Sequence, residues 1–157
     1  MEHYNSLESF RDWWLAQPIS ALKILESRNY GAIVASVVYR QSPYQVELVI
    51  GEPNARIPAH RHPNIDAFEV HISGDLRLLY DLPRETIVEL LPKAAPFPER
   101  FAKHKAIRVR PDSWHAAIAG PGGASFWSVQ KWVGEVPITA AGENWEGEIF
   151  SDKQIAA

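Results

Sequence analysis

Hydrophobic positions in this chain change their period near residue 30. Ahead of that point Leu7, Phe10, Trp13 or Trp14, and Leu15 recur at helical spacing until Pro18 ends the run. Asn5, with Glu8 three residues on, is placed to cap this helix and complete a capping box. Two adjacent tryptophans cannot both face one core, so one is expected on the outer surface of the fold or against a partner subunit. A second short helix or turn is expected over Ser20 to Ser27.

From Tyr30 the pattern becomes that of strands. Ala32 to Tyr39 is rich in valine, and Gln45 to Ile50 puts Val46, Leu48 and Ile50 on one face, with a turn at Ser42-Pro43 between them. Ala67 to Tyr80 reads as a hairpin turning at Ser73-Gly74-Asp75, and Thr86 to Leu91 as a further strand or edge segment. Leu91 to Lys105, with Pro92, Pro96 and Pro98, is the longest irregular stretch. It reads as a surface excursion carrying an exposed His104, with a lid over a cavity mouth as the functional alternative. Ala106 to Val109 resumes the sheet, and Gly120 to Gly123 makes a turn. Ala124 to Val133 then alternates Phe126, Ser128, Gln130 and Trp132 against Trp127, Val129 and Lys131. Parity alone leaves open which set lines an interior. From Val136 onward, Asn144-Trp145 sits in a stretch suited to an edge strand or dimer contact.

Composition narrows the class. The 157 residues make one domain's worth of chain, and 46% hydrophobic with 22% charged residues is ordinary for a globular protein. A net charge of -3 leaves no basic footprint for nucleic acid. Cysteine is absent, which excludes disulfides, thiolate ligands and a cysteine nucleophile, and agrees with a reducing compartment. The opening residues lack the basic and apolar regions of a signal peptide, and no apolar run approaches the ~18 residues of a membrane span. The expectation is a cytoplasmic, mostly β protein with no membrane or nucleic-acid partner.

The chemistry concentrates in Asn54 to Gly74. His60 and His62 are separated by one residue and so share a strand face, where two imidazoles can hold one divalent metal. Pro58 and Pro63 stiffen the backbone around them. A pair of this kind is also common on a solvated strand face. Glu69 and His71 share one face of the next strand, and Arg56 has the parity of the two histidines, placed to clamp an anionic substrate. Far downstream, Val109-Arg110-Pro111-Asp112-Ser113-Trp114-His115 ends a strand in a proline turn and delivers a third histidine.

With His115 in place the chain resembles the cupin superfamily, the RmlC-like small β-barrels. His60, His62 and the closing Gly74 fit the first cupin motif in spacing, with Asn54 where its opening glycine would stand. Asn also visits positive φ. Ala67 occupies the position of the family's metal-binding glutamate. In the second motif His115 matches, Pro111 is one residue late, and Asp112 and Ala119 stand for a glycine and an asparagine. The resemblance spans about residues 30–133. It implies a single antiparallel barrel (a double-stranded β-helix, or jelly roll) behind one or two short N-terminal helices. Residues 1–28 are then a helical extension and 134–157 a C-terminal strand or tail.

What the resemblance implies for function is a three-histidine site of His60, His62 and His115, as some cupins use for iron. Glu69 is then a fourth ligand or a nearby acid. The cofactor is a divalent metal, Fe(II) first, with Zn, Mn or Ni as alternatives. The activity expected is dioxygenase-type, on a small organic substrate. A metal-dependent isomerase and a non-catalytic binding protein with a degenerate site remain as alternatives. A homodimer is also implied, with the tryptophan-bearing helix and the C-terminal tail as contacts.

Overall fold

A computed structural model describes residues 4–93 and 105–147. Most of Leu91 to Lys105, including His104, and the end of the chain lie outside the described residues. Eight strands form one strongly curved antiparallel sheet: β1 (Glu26–Asn29), β2 (Ile33–Gln41), β3 (Tyr44–Gly51), β4 (Arg56–Arg61), β5 (Ile65–Tyr80), β6 (Ala106–Val109), β7 (His115–Trp132) and β8 (Glu146–Gly147). Two helices accompany it, α1 (Leu7–Leu15) and α2 (Arg84–Leu90).

The two long strands turn one sheet into two facing walls. The first half of β5 pairs with the second half of β7, from Ile65↔Trp132 to Gly74↔Ala124. Its second half pairs with the first half of β7, from Leu76↔Ala119 to Tyr80↔His115. Both strands bend where these registers break, at Gly74 and Gly123, which take left-handed φ of 76° and 79°. A Cβ on Gly74 would meet the Gly123 carbonyl oxygen at 2.2 Å, so only glycine fits this crossing. One wall is then β1-β2-β3-β7-β5-β6 and the other β8-β4-β7-β5.

The expected hairpin over Ala67 to Tyr80 is therefore one bent strand. Ser73-Gly74-Asp75 has the local chemistry of a turn, but both halves find their partner in β7 rather than in each other. Thr86 to Leu91 is helix rather than strand: α2 starts after Pro83 and buries Ile87 and Leu91 against Ala59, Leu79, Ala116 and Ile118. Ser20 to Ser27 holds a short helical turn at Ile19–Ala21 and the start of β1. Helix α1 is capped by Ser6, one residue later than expected, in a reciprocal box with Ser9. Asn54 does take the left-handed conformation, with φ 64°.

Helix α1 lies across the outside of the first wall. Leu7, Phe10 and Trp14 bury there with Tyr44, Val46, Phe68, Val70, Trp127 and Val129, while Trp13 is half-buried against Tyr4, Phe10 and Tyr39. This contact decides which face of β3 and β7 looks inward. Val46, Trp127 and Val129 belong to the helix, so Gln45, Glu47, Phe126, Ser128 and Gln130 point into the barrel. No helix among the described residues is long and apolar enough to cross a membrane.

Candidate metal centre

His60 and His115 face each other across the β4–β7 ladder, ring centroids 3.9 Å apart. His62 follows on the same strand side as His60, 4.9 Å away by centroids, and one ring nitrogen of each of the three lies within 4.8 Å of the others. Each imidazole is oriented by a backbone carbonyl. Nδ1 of His60 donates to the Pro58 oxygen at 2.7 Å, Nδ1 of His115 to the Ser113 oxygen at 2.8 Å, and Nδ1 of His62 to the Asn144 oxygen. A carbonyl oxygen only accepts, so these bonds fix the Nδ1–H tautomer and leave three Nε2 lone pairs for a common ligand.

The rings are also held neutral. Burial lowers the His62 pKa to about 4 and that of His115 to about 3, where the proximity of His62 adds to the effect. His60 is lowered well below its ordinary value by burial, then by His115 and His62. Three neutral imidazoles with converging lone pairs are the donor set that a divalent metal requires, and the residues fit such an ion. No carboxylate of the described residues joins the group.

The segment after β7 closes over this wall. Trp145 stacks flat on His60, Asn144 supplies the carbonyl for His62, and Asn64 and Asn144 pair by side chain at 3.1 Å. Gly147 seats against β4 so tightly that a Cβ would come within 2.4 Å of the Ala59 oxygen. Between the walls lies a cavity of about 70 Å³, sided by Ile33, Val49, Ile57, Leu78, Ala117 and Phe126.

Opposite the histidines runs a buried polar rung. Glu47 on β3, Ser128 on β7 and Glu69 on β5 are register partners across three adjacent strands. Glu47 Oε1 accepts from the Ala141 backbone N–H at 2.7 Å and from Gln130 Nε2 at 3.1 Å. Gln130 in turn accepts from Gln45 and from the Trp132 indole. Burial raises the Glu47 pKa, and the Gln130 and Ala141 donors oppose that rise. Glu69 Oε2 is buried without a partner. Burial pushes its pKa up to about 8, against the pull of a Ser128 hydrogen bond.

No family model matches this chain, and no curated protein sequence does. Solved structures do. KdgF from a Halomonas species superposes with a TM-score of 0.54 at 12% identity, covering 70% of this chain and 88% of its own. An RmlC-like cupin from Shewanella frigidimarina gives 0.52 at 12%, over 76% and 91%. The cupin domain of Schizosaccharomyces pombe Cnp3 gives 0.53 at 7%, over 76% and 74%. The fold is the cupin fold.

Within the cupin barrel, the three histidines come together as the spacing suggests. Glu69 faces the cavity but stands on the far wall and ligates nothing with them. His71 turns away to the bend, its Nε2 bonded to the Gly74 oxygen at 2.8 Å. Ala67 does not border the cavity; it packs with Ile65, Trp132 and Ile138. Arg56 is a correction: a bulge between Ile57 and His60 sets Pro58 and Ala59 of β4 against Ala116 alone of β7, which reverses the parity. Ile57 enters the cavity, and Arg56 sits opposite Ile118, off the lining. Sequence reasoning missed Glu47 and Gln45 because a strand that alternates polar and apolar residues reads as polar-out. The cover that α1 gives the apolar face reverses that reading.

Proposed function

We propose that this cupin is a metal-dependent enzyme of small organic molecules. Its reaction class is dioxygenase-type, at one iron held by His60, His62 and His115. The observation that carries the reading is the set of three Nδ1–carbonyl bonds, which aim three unprotonated Nε2 atoms at one buried point. Structural metal sites fill their coordination with protein, whereas three protein ligands leave positions open for substrate. A bound iron would supply the affinity for dioxygen and the one-electron chemistry that organic substrates lack. The chain's own part is to orient the imidazoles, to exclude bulk water with the apolar wall, and to restrict substrates to small ones.

Elemental analysis of the purified protein beside a His60→Ala, His115→Ala double variant tests this. Near-stoichiometric iron in the parent, lost in a folded double variant, is the expected result, followed by oxygen uptake in a substrate screen. A parent that carries no metal and takes up none on reconstitution overturns the reading.

One observation favours a second chemistry at the same centre. Glu69 is a buried carboxyl whose pKa of about 8 lets it release and recover a proton near neutral pH, as a metal-dependent isomerase requires. Zinc or manganese in place of iron, with solvent deuterium entering the substrate and no oxygen consumed, would decide for it.

A further inference from the structure

The cavity has two polar poles, the three histidines on one wall and Glu47 with Glu69 on the other. Glu69 stands on the wall opposite the histidines, 8% exposed, with Oε2 unpartnered. Buried polar atoms without partners are rare in folded proteins, because each gives up its water and gains nothing in return. Its neighbour on the rung is in the reverse condition: Glu47 Oε1 already accepts from Ala141, Gln130 and, at 3.4 Å, Gln45. The spare hydrogen-bonding capacity at this end therefore belongs to Glu69.

Charge narrows what can fill it. Among the described residues lining the cavity there is no lysine or arginine, while two carboxyl groups line it. An anionic group brought to this wall would give up its hydration and meet no cation to offset that cost. Facing walls of such a sandwich lie about 10 Å apart, so a small molecule held at the histidines extends naturally to the other wall.

We infer that Glu69 is a specificity-determining residue that receives a hydroxyl or amine at the far end of a substrate whose near end sits at the three-histidine centre. The substrate class is therefore a short, neutral or cationic molecule with a metal-binding group at one end and a hydrogen-bond donor at the other, not a carboxylate or phosphate. This inference rests on the metal-centre reading above.

The test uses the full chain loaded with zinc and a matched set of chelators sharing a hydroxamate head. Their tails end in an amine (β-alanine hydroxamate), a hydroxyl (hydroxypropionohydroxamate), a methyl (butyrohydroxamate) or a carboxylate (succinate monohydroxamate). Calorimetry is expected to rank the amine and hydroxyl tails at least about tenfold tighter than methyl, with carboxylate weakest, since one satisfied buried group is worth about that much. Glu69→Leu should bring the amine and hydroxyl tails down to the methyl tail's affinity without changing zinc content or butyrohydroxamate binding. Glu69→Gln, which keeps a polar partner, should retain the hydroxyl preference. Metal-loaded protein that binds every tail alike, or a Glu69→Leu variant with the parental ranking, overturns the inference and leaves the metal centre standing. A parent that takes up neither zinc nor iron overturns both.

Discussion

Trp145 lies on His60 with ring centroids 3.8 Å apart and planes within 3° of parallel. The two residues come from distant parts of the sequence, and β8 binds them by pairing Gly147 with His60 itself. The indole thus fixes a ring that its own Nδ1–carbonyl bond leaves free to rock. Replacing Trp145 by Ala is expected to weaken metal binding by about 10–100-fold, the usual effect of removing a group that orients a ligand. Trp145→Phe should recover most of it. Competition against a chromophoric chelator measures both, and parental affinity in Trp145→Ala would refute the role.

Metal should stabilise the fold through all three rings at once. At about a hundred times the dissociation constant, a ligand bound only by the native state adds about 2.7 kcal/mol, on the order of 5–10 °C in melting temperature for a chain of this size. Thermal melts of the metal-free protein titrated with zinc or iron should show that rise, and His62→Ala should abolish it.

The metal-free protein should show opposed pH dependences. His62 and His115 have folded pKa values of about 4 and about 3 against 6.5 unfolded, so between those limits the unfolded chain binds more protons. Stability therefore rises with pH up to about 6.5. Glu69 is shifted the other way, from 4.5 to about 8, so the folded state holds the extra proton and its contribution is lost as pH rises through 8. Urea midpoints should climb from pH 4 to about 6.5 and then decline to about 8. In Glu69→Gln the decline should shrink, and an unchanged upper arm would speak against the carboxyl as its source.

Gly74→Ala tests the bend that makes two walls from one sheet. The new Cβ would strike the Gly123 oxygen at 2.2 Å in a backbone held at φ 76°. Strain of this kind costs about 1–3 kcal/mol before the clash is counted, so the urea midpoint should fall sharply. Parental stability would mean that the crossing relaxes without it.

Ala67→Glu puts a carboxylate where the cupin motif has its metal-binding glutamate. Because Ala67 packs with Ile65, Trp132 and Ile138 rather than bordering the cavity, the new acid is expected to destabilise the fold by roughly 2–5 kcal/mol and leave metal affinity unchanged. Tighter metal binding in this variant, measured by chelator competition, would show that position 67 reaches the site after all.

These outcomes follow the division between local and distant information in the chain. His60 and His62 could be paired from sequence because period two is a property of any strand, and the proline turn before His115 marked it as the end of another. The strands were legible from the alternation that begins near Tyr30, and the barrel was what the cupin resemblance of His60, His62 and His115 implied. Arg56 was misplaced because a single inserted residue in β4 shows only against its partner β7. The bend at Gly74 was read as a hairpin because turn chemistry is local, while its partner strand is set by register with a segment some fifty positions away. Short apolar stretches such as Thr86 to Leu91 suit helix or strand equally, and the surface left uncovered by Ala59, Leu79 and Ala116 made this one a helix.

What the sequence determined by itself is the mostly β class and the three-histidine set, since both depend on spacing along the chain. What only the tertiary structure decided is the other half of the cavity. Glu47, Ser128 and Glu69 form one rung only because three strands align there, and they face inward only because α1 occupies the opposite side of that wall. A strand has two faces, and its own residues cannot say which one the rest of the molecule will cover.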